Sequence, residues 1–525
     1  MNKHIKLLSA IFAVALLAGA LLSGCSSTPA QSAAPSAEAS AEATTAAATD
    51  AVATDAAASV DPSTLDAYQI DWLYLCDGAD DGITAIEEAT NKLLQPKINA
   101  TIKFNMQSWN DYDNKVATLL GSGEKYDLTF TAAWKNYQTW TRQGYFTDVT
   151  ELMQQYAPKT CELLGADVFI KGSAIDGKNY AVPTLKETCV PGGLVFNNAV
   201  LTKYNWDKNT IKSTADLEPW LEQYHKDNAD GTAYLTDGGW LDTPFTSISI
   251  TDDIGVWTDG RDTKVMNVWE SAEQRAHVDL MYKWAKAGYL HPDSANTNFS
   301  VNDILTTGKF LVNPQPVKGE NVKADELEAY NADTTADYVD VEFTQTRYVN
   351  TTHMSGSMQA IPVTSQDPQR AMMFLELLHT DADVINTLCF GIEGVNYNKT
   401  DKEGIVELVG DKKWQGKLPQ WMMGNVYLQY ITTDEDPTKN EKLKAVSDGA
   451  KINFTTGFFF DPTPVETQIA ALNNVRTELD RPLRTGAVDP ATNYDKHLAN
   501  LKSAGIDEII AEAQKQLDAW MAANK

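Results

Sequence analysis

The chain has 525 residues, with 43 Lys and Arg against 71 Asp and Glu, for a formal charge of −28 at pH 7. That balance argues against nucleic acid, which a protein binds by neutralising phosphates with basic surface. It also disfavours polyanionic substrates such as uronic-acid chains, and it serves solubility. The length exceeds what one hydrophobic core supports, so the folded part divides into at least two units.

In chain order, a basic start (Lys3, His4, Lys6) precedes an apolar run from Leu7 to Leu22, the layout of an export signal. The run is about sixteen residues, short of the ~20 a transmembrane helix needs. Leu22-Ser23-Gly24-Cys25 closes it and resembles the lipobox of bacterial lipoproteins. The resemblance implies a signal peptide over residues 1–24 and a lipid-modified Cys25. The protein would then be anchored at the outer face of the cell membrane, in a Gram-positive bacterium. Residues 26 to about 65 are almost entirely Ala, Ser, Thr, Pro, Glu and Asp, without an aromatic residue, Lys or Arg. Such a segment buries too little apolar surface to offset its ordering entropy. Residues 25–66 therefore read as a tether, about 35 Å from end to end at ~5–6 Å per root residue.

From Gln69 the pattern alternates strand and helix periods, a βαβ layout. A strand over Gln69–Leu75 is followed by a helix with Ile83, Ile86, Leu93 and Leu94 on one face, started by Asp80-Asp81 and stopped by Pro96. A second strand places Ile102, Phe104 and Met106 together, and a second helix from Tyr112 ends at Gly121. A third strand, Tyr126–Phe130, leads to a helix over Lys135–Arg142. Right-handed crossovers make this a parallel sheet, whose ligands sit beyond the carboxyl ends of its strands. Further helices are expected near 214–227 and 270–287, then a strand over Gln359–Ile361 and one long helix over Gln369–Leu388. The last helices are expected near 464–480 and 505–523. Besides Cys25 there are Cys76, Cys161, Cys189 and Cys389. No C-x-x-C spacing suggests zinc. An even count permits disulfides outside the cell, while apolar neighbours such as Leu75 and Phe390 favour buried free thiols.

Several segments resemble the extracellular solute-binding proteins of carbohydrate-type ABC importers, in their lipoprotein-anchored Gram-positive form. Gly121 to Leu128, Gly144 to Thr150, Ile175 to Pro183 and Leu194 to Asn198 carry the general likeness. The segments Gly356 to Pro362, Phe374 to Leu378, Phe390 to Tyr397, Gly457 to Asp461, Ala504 to Asp507 and Glu512 to Trp520 are similar to a subgroup with its own C-terminal region. Val395-Asn396 departs from the Lys-His usual there, so a role for that histidine is absent. The resemblance implies a two-lobe, periplasmic-binding-protein-like α/β fold of type II, with the ligand cleft between lobes. Lobe 1 would comprise 67–183 and 350–400, and lobe 2 would comprise 184–349 and 401–525. It implies a monomeric receptor that captures an oligosaccharide, neutral by charge, and hands it to ABC permease transmembrane subunits. No cofactor, metal or catalytic residue is expected.

A sugar needs an aromatic face for its C–H side and carboxylates or amides for its hydroxyls. At the carboxyl ends of the first three strands these are Asp80, Asp81, Trp109, Trp134 and Tyr137. In the second lobe the loop aromatics Trp240 and Trp257 are candidates, whereas Trp269, Trp284 and Trp520 lie in helix patterns and read as core. Arg347, Glu393, Phe458 and Asp461 come from segments carrying the resemblance and serve either cleft or hinge. Two rival chemistries are weak. Adjacent acids such as Asp80-Asp81 and Asp252-Asp253 do not amount to the spaced carboxylates of a glycoside hydrolase. Asp77, Asp81, Gly82 and Glu88 fit a calcium loop only with Ala79 at its third position. A surface sugar sensor or adhesin on the same fold is the remaining alternative.

Overall fold

A strand covered on both faces starts the folded body. Residues Tyr68–Leu75 form β1, in which Trp72, Leu73, Tyr74 and Leu75 are all fully buried. The computed structural model describes residues 61–76, 82–235, 242–248, 251–296, 301–305, 307–330, 337–342, 346–410, 414–415 and 417–524. Helix α1 (Ile83–Ile98), β2 (Ala100–Gln107), α2 (Tyr112–Gly121), β3 (Leu128–Thr131) and α3 (Tyr137–Arg142) follow. Strand β1 pairs in parallel with both β2 and β3, as the alternating pattern predicts. The strand Met358–Ala360 then pairs antiparallel with β3 on one side and with Ala181–Pro183 on the other. The sheet order is therefore β2, β1, β3, Met358–Ala360, Ala181–Pro183.

Pro96 does not stop α1. Lacking an N–H, it falls in the last turn, where one lost bond is tolerated. The helix runs on to bury Ile98, and Asn99 closes it in a left-handed conformation with its N–H on the Gln95 carbonyl. The long helix expected over Gln369–Leu388 is two, Pro368–Thr380 and Ala382–Phe390. Between them Asp381 is extended, and its carboxylate accepts from the Asp383 and Val384 N–H groups as an N-cap.

The second lobe holds three hydrophobic clusters among the described residues. Two pack against the sheet of Tyr338–Glu342, Gly192–Asn197, Phe310–Pro316 and Thr232–Tyr234. The third joins the small sheet of Phe245–Ser247, Ile254–Trp257 and Met266–Asn267 to the helices Glu466–Arg484, Pro490–Ser503 and Ile506–Ala523. The sequence pattern misses the middle of these three helices, which Asp489 caps and Pro490 opens.

Val406, Trp414, Leu418, Met422 and Met423, assigned to the second lobe from sequence, are buried in the first core. The first lobe thus reaches beyond residue 400. Among the described residues the chain passes between the cores three times, between 182 and 194, 341 and 349, and 423 and 458. Two of these passages pair in parallel, Tyr348–Val349 with Lys451–Ile452. None of Cys76, Cys161, Cys189 and Cys389 is in a disulfide.

Candidate functional site

Three tryptophans gather at the carboxyl end of the first sheet. Trp109 lies on the turn between β2 and α2, and Trp134 on the turn between β3 and α3. Their rings are 6.1 Å apart and 11° from parallel. Trp421 lies 6.1 Å from Trp134 and 6.4 Å from Trp109, with buried Phe130 behind it. Trp109 and Trp134 are 37% and 45% exposed, unusual for residues of this size in a folded body. The Trp134 indole N–H donates to the Gly356 carbonyl at 2.7 Å, which fixes the ring's orientation. The Lys135 ammonium sits 5.9 Å from the Trp109 ring centre and pairs with Asp113 at 3.0 Å.

Beside this shelf lies a cavity of about 370 Å³ walled by both lobes. Trp134, Gln138, Asn350 and Thr351 come from the first lobe, Thr246, Asp252 and Arg476 from the second, and Thr455 from a passage between them. The wall is rich in hydroxyls and amides, with one exposed carboxylate and one guanidinium. Behind Arg476 the charge is balanced. Arg476 Nε is 2.7 Å from the fully buried Asp253 carboxylate. Asp253 also accepts from the Trp269 indole N–H at 2.7 Å, and Arg484 Nε donates to Asp480 at 2.6 Å. Burial, helped by nearby Asp480, raises the Asp253 pKa, and the two arginines oppose it.

The structure places the expected residues unevenly. Trp109 and Trp134 form the shelf, and Phe458 lines the cavity. Tyr137, expected to stack at the cleft, is fully buried. Its hydroxyl donates to the Ser173 carbonyl at 2.8 Å, because α3 turns that face into the core. Trp257 ends a strand and is half-buried, with Phe245 at 4.6 Å and the Arg261 guanidinium over its ring at 4.4 Å. Arg347 braces a passage, donating to both Glu342 oxygens and to the Ala445 and Val446 carbonyls. Glu393 is on the surface, paired with Lys399 at 2.9 Å. Asp461 lies 3.5 Å from Arg142 in a second cavity, of about 610 Å³, which shares Phe458 and Phe459 with the first. Cys25, Asp80, Asp81 and Trp240 lie outside the described residues, as do Asp77 and Asp81 of the calcium-loop pattern. Among the described residues no group of three His, Cys, Asp or Glu could hold a metal ion.

Sequence reasoning missed Trp421, Asp252 and Arg476. Trp421 follows Pro419 in a stretch without periodicity, the only local sign of a loop aromatic. Arg476 looks like an ordinary exposed charge of the helix Glu466–Arg484, and only folding turns it toward the cleft.

The profile of the bacterial extracellular solute-binding proteins matches residues 83–389, and that of a domain of unknown function, DUF3502, matches residues 454–522. A carbohydrate ABC transporter substrate-binding protein of Streptococcus pneumoniae serotype 4 is 26% identical over 448 residues, covering 84% of this chain and 89% of that protein. The crystal structure of the N-glycan transport solute-binding protein NgtS from Streptococcus pneumoniae superposes with a TM-score of 0.78 at 26% identity. That superposition covers 87% of this chain and all of the other. The same protein in complex with Man5GlcNAc superposes at 0.73, again with 26% identity, over 87% of this chain and 99% of the other.

Proposed function

The chain belongs to the bacterial extracellular solute-binding protein family, and from that premise we propose that it captures an oligosaccharide outside the cell and delivers it to an ABC permease. The observation that carries this reading is the shelf of Trp109, Trp134 and Trp421 beside a cavity of hydroxyls, amides, Asp252 and Arg476. Flat aromatic faces take the C–H side of a sugar ring, and the polar wall takes its hydroxyls. The similarity to an N-glycan transport protein, also solved with Man5GlcNAc, supports the same class of cargo.

Binding is reversible and makes no covalent bond. The two lobes close on the ligand about the three passages, and the family and its relatives bind substrates rather than transform them. The protein is held at the outer face of the membrane through a lipid on Cys25, a reading supported by the apolar leader that ends in Leu22-Ser23-Gly24-Cys25. Cys25→Ala in cells is expected to move the protein from the membrane fraction into the medium; retention on the membrane would refute the anchor.

The test of the cargo is a thermal-shift and calorimetric screen of the protein against neutral and acidic oligosaccharides. A ligand at 100 times its dissociation constant adds about 2.7 kcal/mol to folding stability, which appears as a raised melting temperature. The expected result is a response to neutral glycans that are recovered intact. Cleaved glycan would make the protein an enzyme, and a response confined to peptides or ions would overturn the cargo.

A further inference from the structure

A small cavity walled by Trp421 shares no residue with the polar cavity beside Trp134. It lies between Gln415, residues 420–431, the helix Lys439–Ser447 and the charged end of the second lobe near Lys318. Its volume is about 60 Å³, room for roughly four water-sized groups at ~15 Å³ each. That is the space a four-atom substituent fills.

The walls specify which substituent. Val426 and Leu443 offer an apolar side, while Gln420, Gln429 and Asn440 offer amides. Gln429 is held in place by donating to the Gln420 backbone carbonyl at 2.9 Å. The Gln420 side-chain nitrogen is buried with no partner in the structure, a donor placed for an acceptor that is not part of the protein. The carboxylates here are already engaged. Glu187 pairs with Lys186 at 3.1 Å, Glu326 with Lys318 and Lys323 at 3.2 Å each, and Glu435 with Lys439 at 2.6 Å. A charged substituent would be stripped of water and meet no uncompensated partner. The group that fits is neutral, half methyl and half amide, and carries a carbonyl oxygen.

We propose that this cavity is an acetamido pocket, taking the N-acetyl group of an N-acetylhexosamine unit whose ring lies against Trp421. The proposal rests on the oligosaccharide reading and narrows it. A sugar on the tryptophan shelf has its ring at the mouth of this pocket, because Trp421 is a wall of both. The acetamide oxygen accepts from Gln420, and the methyl group meets Val426 and Leu443.

The test is calorimetric titration of the full-length protein with two disaccharides of one linkage, mannosyl-N-acetylglucosamine and mannosylglucose. They differ only in the acetamido or hydroxyl group at one carbon. The acetamido sugar is expected to bind at least tenfold more tightly. Val426→Phe, which fills the pocket, is expected to abolish that preference while sparing mannosylglucose, and Gln420→Leu to reduce it. Melting temperatures establish that each variant is folded, and either variant alone suffices. Equal affinities in the parent protein, or a preference that survives in the folded variant, would overturn the pocket and leave the oligosaccharide reading standing. Binding of neither disaccharide, nor of larger neutral glycans, would overturn both.

Discussion

Trp134 shows how one residue can be held by the fold yet left exposed. Its indole N–H is bonded to Gly356, which fixes the ring in advance and, in the function proposed above, keeps the ordering cost of stacking a sugar small. Trp134→Ala is expected to weaken oligosaccharide binding by about 2–4 kcal/mol, the range of aromatic hot spots at interfaces. That is a rise in Kd of roughly 30-fold to 700-fold at ~1.4 kcal/mol per decade, with the melting temperature nearly unchanged; calorimetry on the folded variant checks both. Tyr137 is the opposite case, an aromatic three residues away that belongs to the interior. Its hydroxyl donates to Ser173 and accepts from the Tyr180 N–H at 3.3 Å. Tyr137→Phe leaves both partners unpaired and is expected to cost about 1–3 kcal/mol in urea unfolding, with sugar affinity preserved. Both residues follow β3, so strand position alone could not separate them. Trp134 sits on the turn before α3, whereas Tyr137 opens α3 on the face that packs into the core.

At the scale of elements, the parallel β1–β2–β3 frame was legible because short strand-period segments, such as β2 with Ile102 and Phe104 on one face, alternate with helical stripes. What local pattern hid were interruptions made by single side chains. Asp381 splits one apolar stripe into two helices by capping the second, and Asp489-Pro490 opens a helix with only modest apolar periodicity. The cleft was half legible for a related reason. Turns that follow strands advertise their aromatics, whereas Arg476 and Trp421 reach the site from elements distant in sequence. The helix carrying Arg476 also carries Asp480 and Arg484, which with Asp253 tie it to the small sheet. Removing the buried carboxylate leaves the Trp269 N–H unpaired and both arginines with Asp480 alone. Asp253→Ala is therefore expected to destabilise the protein by about 3–5 kcal/mol, read as a lower urea midpoint.

For the whole molecule, histidines shielded from water set a common acid limit. Burial pushes His277, His353 and His497 down to about 4, below the usual 6.5. Between those values the unfolded chain binds protons that the folded one refuses, so stability rises with pH across that window and is lost as pH falls. At pH 5 the loss is up to about 2 kcal/mol per histidine at ~1.36 kcal/mol per pH unit, and urea unfolding at pH 7.5 and pH 5 measures it. The first lobe is built from two stretches far apart in the chain, with Met358–Ala360 inserted between β3 and Ala181–Pro183. A chain emerging amino end first therefore presents β1, β2 and β3 long before the strand that completes their sheet. Until residues beyond 360 have come through, the β3 edge stands unpaired and the tryptophans around it lack their Trp421 neighbour. With four thiols and no disulfide among the described residues, no covalent link holds that waiting half. The order of emergence thus makes the newly exported protein most vulnerable to proteases and to sticking in the interval before its second half arrives.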